Sequence, residues 1–140
     1  MSELAVVPRR SFGEVSFSSV GSVLIIDDEA EIRESLRTLL ELEGYEVDVA
    51  GSADEGASRL GERAFDLVLL DLALPDRNGL DLLADLRAQE PQQAVIMITA
   101  YGDPETRRKA LAEGASGLLT KPIDFSALRE EIDTRLAQTS

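Results

Sequence analysis

Short apolar runs alternate with amphipathic stretches along the chain from Val23 onward. The first amphipathic stretch shows the helical spacing of its apolar residues, with Ile32, Leu36, Leu39 and Leu40 on one face. The apolar runs are "VLIID", "YEVDVA", "FDLVLLDL", "AVIMITA" and "SGLLTKP". This alternation of five strands with five helices predicts an α/β fold with a parallel sheet and helices on both faces. The nearly continuous apolar strands agree, because parallel strands are buried on both sides.

Several helix ends carry local signals. Ser52 and Glu55 have the spacing of a capping box at the start of the second helix. Asp103 followed by Pro104 predicts the start of the fourth helix. Gly44 predicts the end of the first.

The first 21 residues differ from the rest of the chain. They show no sustained hydrophobic period and contain Pro8, Gly13 and several serines. We interpret residues 1–21 as a loosely ordered N-terminal tail, in which "EVSFSSV" is a weak candidate for an edge strand. Residues 22–138 form the predicted domain, which agrees with a total length of 140 residues.

Composition and charge exclude several classes of function. The chain has no cysteine and no histidine, which excludes disulfides, thiolate or histidine metal sites, and Ser-His or Cys-His catalysis. A net charge of -13 leaves no basic footprint for direct binding of nucleic acid. Glu3 and Pro8 interrupt any signal peptide, and no apolar run reaches the length of a membrane span. We therefore expect a cytoplasmic protein without membrane contact.

Carboxylates stand at the ends of two predicted strands. Asp27 and Asp28 end the first strand, and Asp71 ends the third. In a doubly wound sheet of order 2-1-3-4-5, ligands bind at the carboxyl ends of the strands, in the crevice between strands one and three. Three carboxylates that converge there would repel one another and raise one another's pKa. Mg²⁺ would remove this conflict because it prefers oxygen ligands, so the pattern predicts a Mg²⁺ site.

Two further side chains reach the same edge of the predicted sheet. Thr99 ends the fourth strand, and Lys121 follows the fifth. A metal, an ammonium and a hydroxyl around Asp71 suit an oxygen-rich anion such as a phosphoryl group. Because a carboxylate can itself act as a nucleophile, Asp71 is a candidate for forming an aspartyl phosphate.

The segments "IIDDE", "LVLLDLALPDRNGL", "MITAYGD" and "LLTKPID", in this order, resemble the receiver domain of bacterial two-component response regulators. The resemblance covers about residues 22 to 138 and implies a flavodoxin-like (βα)5 fold with strand order 2-1-3-4-5. It implies that Asp71 is the phosphoacceptor, that Asp28 binds Mg²⁺ directly and that Asp27 usually acts through water. The remaining matched residues are the switch hydroxyl Thr99, the phosphoryl-contacting Lys121 and the backbone carbonyl of Ala73 as third protein ligand of the metal.

The resemblance also assigns structural residues and shows one departure. Pro75 and Gly79 match the family loop after the acceptor, and Lys121–Pro122 matches a peptide bond that is cis in the family. The family usually has an aromatic residue three positions before the lysine, and this residue turns inward when the switch hydroxyl engages the phosphoryl group. This chain has Leu118 at that position. Tyr101 is a nearby aromatic residue that we expect to cover the entrance of the site. The residues expected to take part in switching are Thr99, Leu118 and Tyr101.

The function implied by the resemblance is a switch rather than a dedicated enzyme. Asp71 would receive a phosphoryl group from a histidine kinase or phosphotransfer protein, and the surface of helix 4, strand 5 and helix 5 would change. Expected partners further include a downstream protein or a covalently linked output domain, and a second copy in a phosphorylation-dependent homodimer. The alternatives are a Mg²⁺-dependent phosphohydrolase with an aspartyl nucleophile, and a pseudo-receiver that binds partners without being phosphorylated.

Overall fold

The computed structural model describes residues 20–100 and 102–137. Strands and helices alternate throughout these ranges, as the hydrophobic pattern predicts. The strands are β1 (Ser22–Ile26), β2 (Glu46–Ala50), β3 (Leu67–Asp71), β4 (Ala94–Thr99) and β5 (Gly117–Thr120). The helices are α1 (Ala30–Leu42), α2 (Ala53–Glu62), α3 (Gly79–Gln89), α4 (Pro104–Ala112) and α5 (Phe125–Ala137).

The strands form one parallel sheet in the order β2-β1-β3-β4-β5, which confirms the predicted doubly wound topology. In the register, Val23 of β1 lies opposite Val47 of β2 on one side and Leu67 of β3 on the other. The chain order therefore reverses between β1 and β3. The carboxyl ends of these two strands meet at the crevice where such sheets bind ligands.

The core forms two layers, one on each face of the sheet. Successive side chains of a strand point to opposite faces. Leu24 of β1 faces the layer that includes α3 residues, and Ile25 faces the layer that includes α1 and α5 residues. Every residue of β3 and β4 is buried, which explains why these strands read as continuous apolar runs. In β3 and β4 the polar side chains stand only at the carboxyl ends, as Asp71 and Thr99.

Most of the residues predicted to begin or end helices are found at the helix ends. Gly44 has a φ of +100° and follows the end of α1, and Asp103 is the N-cap of α4 with Pro104 in its first turn. Ser52 caps α2 by accepting a hydrogen bond from the Glu55 N–H. The Glu55 carboxylate, however, accepts from the Gly51 N–H at 2.7 Å, one residue before the position that a capping box would use.

The structure also bears on the predicted tail, on the end of the fifth strand and on membrane contact. Residues 1–19, which include nearly all of the predicted tail and edge strand, lie outside the described residues. Val20 N–H donates to the Gly44 carbonyl at 3.2 Å and leads into β1. β5 ends at Thr120, before the predicted limit at Pro122, and the Lys121–Pro122 bond is cis. Within the described ranges, none of the helices combines the length and apolar character needed to cross a bilayer.

Candidate functional site

Four carboxylates gather at the carboxyl ends of β1 and β3. Asp27, Asp28 and Glu29 follow β1, and Asp71 is the last residue of β3. One oxygen of each can be chosen so that all four lie within 4.8 Å of one another. Asp27 and Asp71 are buried, whereas Asp28 and Glu29 are exposed. The three aspartates expected to converge from the sequence are therefore neighbours, and Glu29 joins them.

The turn after β1 holds Asp27 in a fixed orientation. Its backbone N–H donates to the Ala50 carbonyl at 3.0 Å, which extends the β1–β2 pairing by one residue. Its Oδ1 accepts the Glu29 N–H at 2.8 Å, and its carbonyl accepts a hydrogen bond from the Arg33 guanidinium at 2.8 Å. These three contacts use the backbone and one carboxylate oxygen. The second oxygen, Oδ2, is left pointing into the site.

Lys121 supplies the positive charge of the cluster. Its backbone N–H donates to the Thr99 carbonyl at 2.8 Å, which places the residue beside the end of β4. Its Nζ lies 2.5 Å from Glu29 Oε1, 3.0 Å from Asp27 Oδ2 and 3.1 Å from Asp71 Oδ2. Burial lowers the pKa of the Lys121 ammonium, but the contacts with Glu29, Asp27 and Asp71 outweigh burial and raise it overall. Lys121 is therefore a cation at neutral pH.

Asp71 lies in an environment that disfavours its charged form. Burial and the repulsion of the Asp27 carboxylate raise its pKa to about 6. The Ala73 N–H, which donates to Asp71 Oδ1 at 3.2 Å, and the Lys121 ammonium oppose this increase without cancelling it. A further cation beside Asp71 would favour its carboxylate form.

Thr99 lies at the end of the strand next to Asp71. The β3–β4 register places Asp71 opposite Ile98, and Thr99 is the next residue along β4. Its side chain is 1% exposed. The hydroxyl residue predicted for the site is thus buried at the same edge of the sheet as Asp71.

The loop between β3 and α3 carries the other predicted residues. Ala73 forms an isolated backbone bridge with Asn78, and Pro75 lies between them in the chain. A Cβ atom on Gly79 would lie 2.3 Å from the Asp71 carbonyl oxygen and 2.9 Å from Leu72 Cα. Position 79 therefore has no room for a side chain. This steric restriction explains why a glycine stands at this position of the loop.

Leu118 occupies the core rather than the surface. It is 4% exposed and lies opposite Met97 in the β4–β5 register, within the core layer that also includes Ala110 of α4. A leucine so packed has no ring to rotate between an inward and an outward position. Tyr101, the other residue expected to take part in switching, lies outside the described residues.

The donor atoms at the cluster fit a hard divalent cation. The side-chain donors are carboxylate oxygens, the ligands that Mg²⁺ prefers. Asp27 Oδ2 is buried and accepts no hydrogen bond, although the Lys121 ammonium lies close to it. Such a buried oxygen has unused capacity to bind a metal or a metal-bound water.

Glu29 is the functional candidate that the sequence analysis passed over. It belongs to the same "IIDDE" segment as the predicted ligands, and this was the available signal. Its contact with Lys121 joins residues 92 positions apart, a distance over which local patterns carry no information.

Comparison with known proteins places this geometry in a family. The family model of the response regulator receiver domain matches residues 23–133. The response regulator protein PilR of Pseudomonas aeruginosa is 43% identical over 113 residues, which are 81% of this chain and 25% of PilR. The two-component response regulator PhoP of the same organism is 35% identical over 84% of this chain and 52% of PhoP.

A solved structure agrees with this sequence similarity. The CheY-like response regulator receiver domain protein of Methanospirillum hungatei JF-1 is 36% identical, with a TM-score of 0.81. The match covers 86% of this chain and 96% of that protein. This chain spans only 25% of PilR, so the similarity concerns one part of that longer regulator. The fold, the family match and these relatives together show that the chain belongs to the receiver domain family of two-component response regulators.

Proposed function

We propose that Asp71 accepts a phosphoryl group from a histidine kinase or phosphotransfer protein, in a reaction that requires Mg²⁺. The observation that carries this proposal is the position of Asp71 at the end of β3, with Lys121 3.1 Å away and three further carboxylates around it. The family to which the chain belongs supports this role, since its members are signalling switches. Residues 22–138 are the proposed extent of the switch domain.

The chain's own side chains account for the transfer step. An Asp71 carboxylate oxygen attacks the phosphorus, so an O–P bond forms while the P–N bond to the donor histidine breaks and that nitrogen leaves with the bonding electrons. We assign the Lys121 ammonium, which lies 3.1 Å from Asp71 Oδ2, a contact with the phosphoryl oxygens. We assign the Thr99 hydroxyl a hydrogen bond to the same group. Both interactions stabilise negative charge on those oxygens.

The proposed metal ligands are Asp28, Asp71 and the Ala73 carbonyl, with Asp27 acting through water. A Mg²⁺ ion held there would neutralise charge on the phosphoryl group during transfer. The cluster of carboxylate oxygens supports the assignment, as does the buried Asp27 Oδ2, which accepts no hydrogen bond. Glu29 is not among the ligands that the family resemblance implies, and we assign it the contact with Lys121 and no direct ligand role.

The consequence of phosphorylation is proposed to be a changed surface on α4, β5 and α5. Relatives such as PilR are longer than this chain, which supports a downstream protein or a linked output domain as the recipient of the signal. A phosphorylation-dependent homodimer and the cytoplasmic location stay predictions. Relatives such as PilR are regulators and give no support to a phosphohydrolase. A pseudo-receiver gains no support either, because the acidic residues, the hydroxyl residue and the lysine that phosphorylation needs are all present.

Phosphorylation by a small donor tests the proposal directly. The protein is incubated with acetyl phosphate, with Mg²⁺ or with a chelator, and its intact mass is measured. We expect the mass of one phosphoryl group to be added only with Mg²⁺, and not in Asp71→Asn. An equal addition to Asp71→Asn would contradict the assignment of the acceptor.

A further inference from the structure

The first turn of α2 receives hydrogen-bond acceptors from two different parts of the chain. The first N–H groups of an α-helix have no partner inside the helix and need acceptors from elsewhere. The N–H groups of Ala53 and Asp54 donate to the two carboxylate oxygens of Asp76, at 2.9 and 2.8 Å. The Glu55 N–H donates to Ser52 Oγ at 3.1 Å. Ser52 is thus the local cap of α2, and Asp76 is a cap that reaches it from the loop after β3.

The same loop carries the Ala73 carbonyl that we propose as a metal ligand. At its other end the loop is fastened to α3, because Asn78 Oδ1 accepts the Leu80 N–H at 2.8 Å and the Gly79 N–H donates to the Leu72 carbonyl at 2.7 Å. Asp76 lies between Ala73 and Asn78, which form a backbone bridge. The loop is therefore held at two places, at α3 by its own closing residues and at α2 by Asp76.

The contact with α2 suits a charged carboxylate. Asp76 is exposed, and the N–H groups of Ala53 and Asp54 lower its pKa by favouring the ionised form. The partial positive charge at a helix amino terminus acts in the same direction. Both carboxylate oxygens are engaged with neighbouring N–H groups, which fixes the direction of the side chain as well as its distance from the helix.

We propose that Asp76 is a positioning residue that sets the place of the Ala73 carbonyl by fastening the acceptor loop to α2. The inference rests on the proposed function, in which this carbonyl binds Mg²⁺. Loss of a group that orients a metal ligand typically weakens metal binding by about 10-fold to 100-fold. Because the α3 end of the loop stays fastened, we expect the loss of Mg²⁺ affinity to be about 10-fold.

Three variants test the proposal. In Asp76→Ala both acceptors are lost, in Asp76→Asn one acceptor oxygen is kept, and in Ser52→Ala the other cap of the same helix is removed without any change to the loop. Mg²⁺ affinity is measured by titration calorimetry. The backbone amide signals of Leu72 and Ala73 are measured by NMR in the metal-free protein.

We expect Mg²⁺ to bind about 10-fold more weakly to Asp76→Ala and to an intermediate degree to Asp76→Asn. The Leu72 and Ala73 amide signals should move in both Asp76 variants. Ser52→Ala should lose stability but keep the wild-type Mg²⁺ affinity and the wild-type Leu72 and Ala73 signals. Should Asp76→Ala fail to fold, the comparison is made with Asp76→Asn.

Wild-type affinity and unmoved Ala73 signals in the folded Asp76 variants would overturn the proposal. Equal weakening in Ser52→Ala would also overturn it, because the effect would then come from the stability of α2. Absence of Mg²⁺ binding in the wild-type protein would instead contradict the proposed function. In that case the amide signals of the metal-free variants still decide whether Asp76 positions the loop.

Discussion

At Asp71, burial and the neighbouring Asp27 carboxylate raise the pKa from 3.8 to about 6, so the folded protein holds this proton more tightly than the unfolded chain does. Between these two values the folded state binds more protons than the unfolded state, and stability falls as the pH rises. Above about pH 6 the full cost of the buried charge is present. In the absence of a metal, the acceptor therefore destabilises the protein at neutral pH.

The variant Asp71→Asn should remove this cost. In a chelating buffer at neutral pH, its free energy of unfolding should exceed that of the wild type by on the order of 1 kcal/mol, and the difference should shrink as the pH falls toward 4. Urea unfolding at several pH values measures both parts. Glu34→Gln, at an exposed position of α1, is the control and should follow the wild type. A constant difference at all pH values would contradict the role of the Asp71 charge.

Glu29 shares the Lys121 ammonium with Asp71. Nζ lies 2.5 Å from Glu29 Oε1 and 3.1 Å from Asp71 Oδ2. Because partly exposed ion pairs contribute about 0.2 to 1 kcal/mol, Glu29→Gln should speed phosphorylation by acetyl phosphate by at most about fivefold. Glu31→Gln removes the same charge from the first turn of α1 and should leave the rate unchanged. A slower rate in Glu29→Gln would show that Glu29 assists the reaction.

Among the elements, the loop from β3 to α3 has the strictest steric demand. A Cβ on Gly79 would lie 2.3 Å from the backbone oxygen of Asp71, and backbone atoms cannot turn away as a flexible side chain can. Around Gly61, in α2, no atom other than those of its chain neighbours and of its own helix backbone lies within 4 Å of the place where its Cβ would lie. The two glycines therefore differ in what surrounds them, although both belong to helices.

Alanine at these two positions should have opposite effects. Gly61→Ala should raise the free energy of unfolding by about 0.5 to 1 kcal/mol, because alanine loses less backbone entropy in a helix than glycine. Gly79→Ala should lower the free energy of unfolding by about 1 to 3 kcal/mol, because the loop or the start of α3 must shift. It should also weaken Mg²⁺ binding. Chemical denaturation and calorimetry measure these effects, and a Gly79→Ala protein as stable as the wild type would contradict the steric argument.

For the whole molecule, the acidic cluster couples metal binding to folding. Asp71 joins the Asp27 and Asp28 carboxylates only in the folded chain, so a cation held between them should bind the folded state preferentially. At a Mg²⁺ concentration of about 100 times Kd, such binding adds about 2.7 kcal/mol to the free energy of unfolding.

This stabilisation should depend on the proposed ligands. Thermal unfolding with Mg²⁺ and with a chelator should show a higher Tm with the metal for the wild type. Asp28→Ala should lose most of this increase, and its metal-free form should be at least as stable as the wild type because one repelling charge is gone. Glu34→Ala, which removes an exposed acidic residue away from the cluster, serves as the control. An unchanged increase in Asp28→Ala would contradict its role as a ligand.

Much of this architecture is readable from local patterns. Strands buried on both faces appear as apolar runs, and amphipathic helices repeat their apolar positions every three to four residues, so the five strand–helix units follow from the sequence. A buried strand leaves only its end for charged groups. For this reason Asp27, Asp28 and Asp71 are predictable at the ends of their strands, and the strand order that the family resemblance implies makes them neighbours.

The contacts that refine the site depend on tertiary structure. Lys121 meets Glu29 across 92 positions, and Asp76 reaches the Ala53 N–H across 23 positions. Both contacts depend on the conformation of a loop and on the side-chain conformation of one residue. Hydrophobic periodicity predicts neither of them. The burial of Leu118 against β4 is decided in the same way, because a leucine three positions before the lysine is apolar whether it faces the core or the surface. Packing of distant segments, rather than local residue pattern, decides which groups finally surround Asp71.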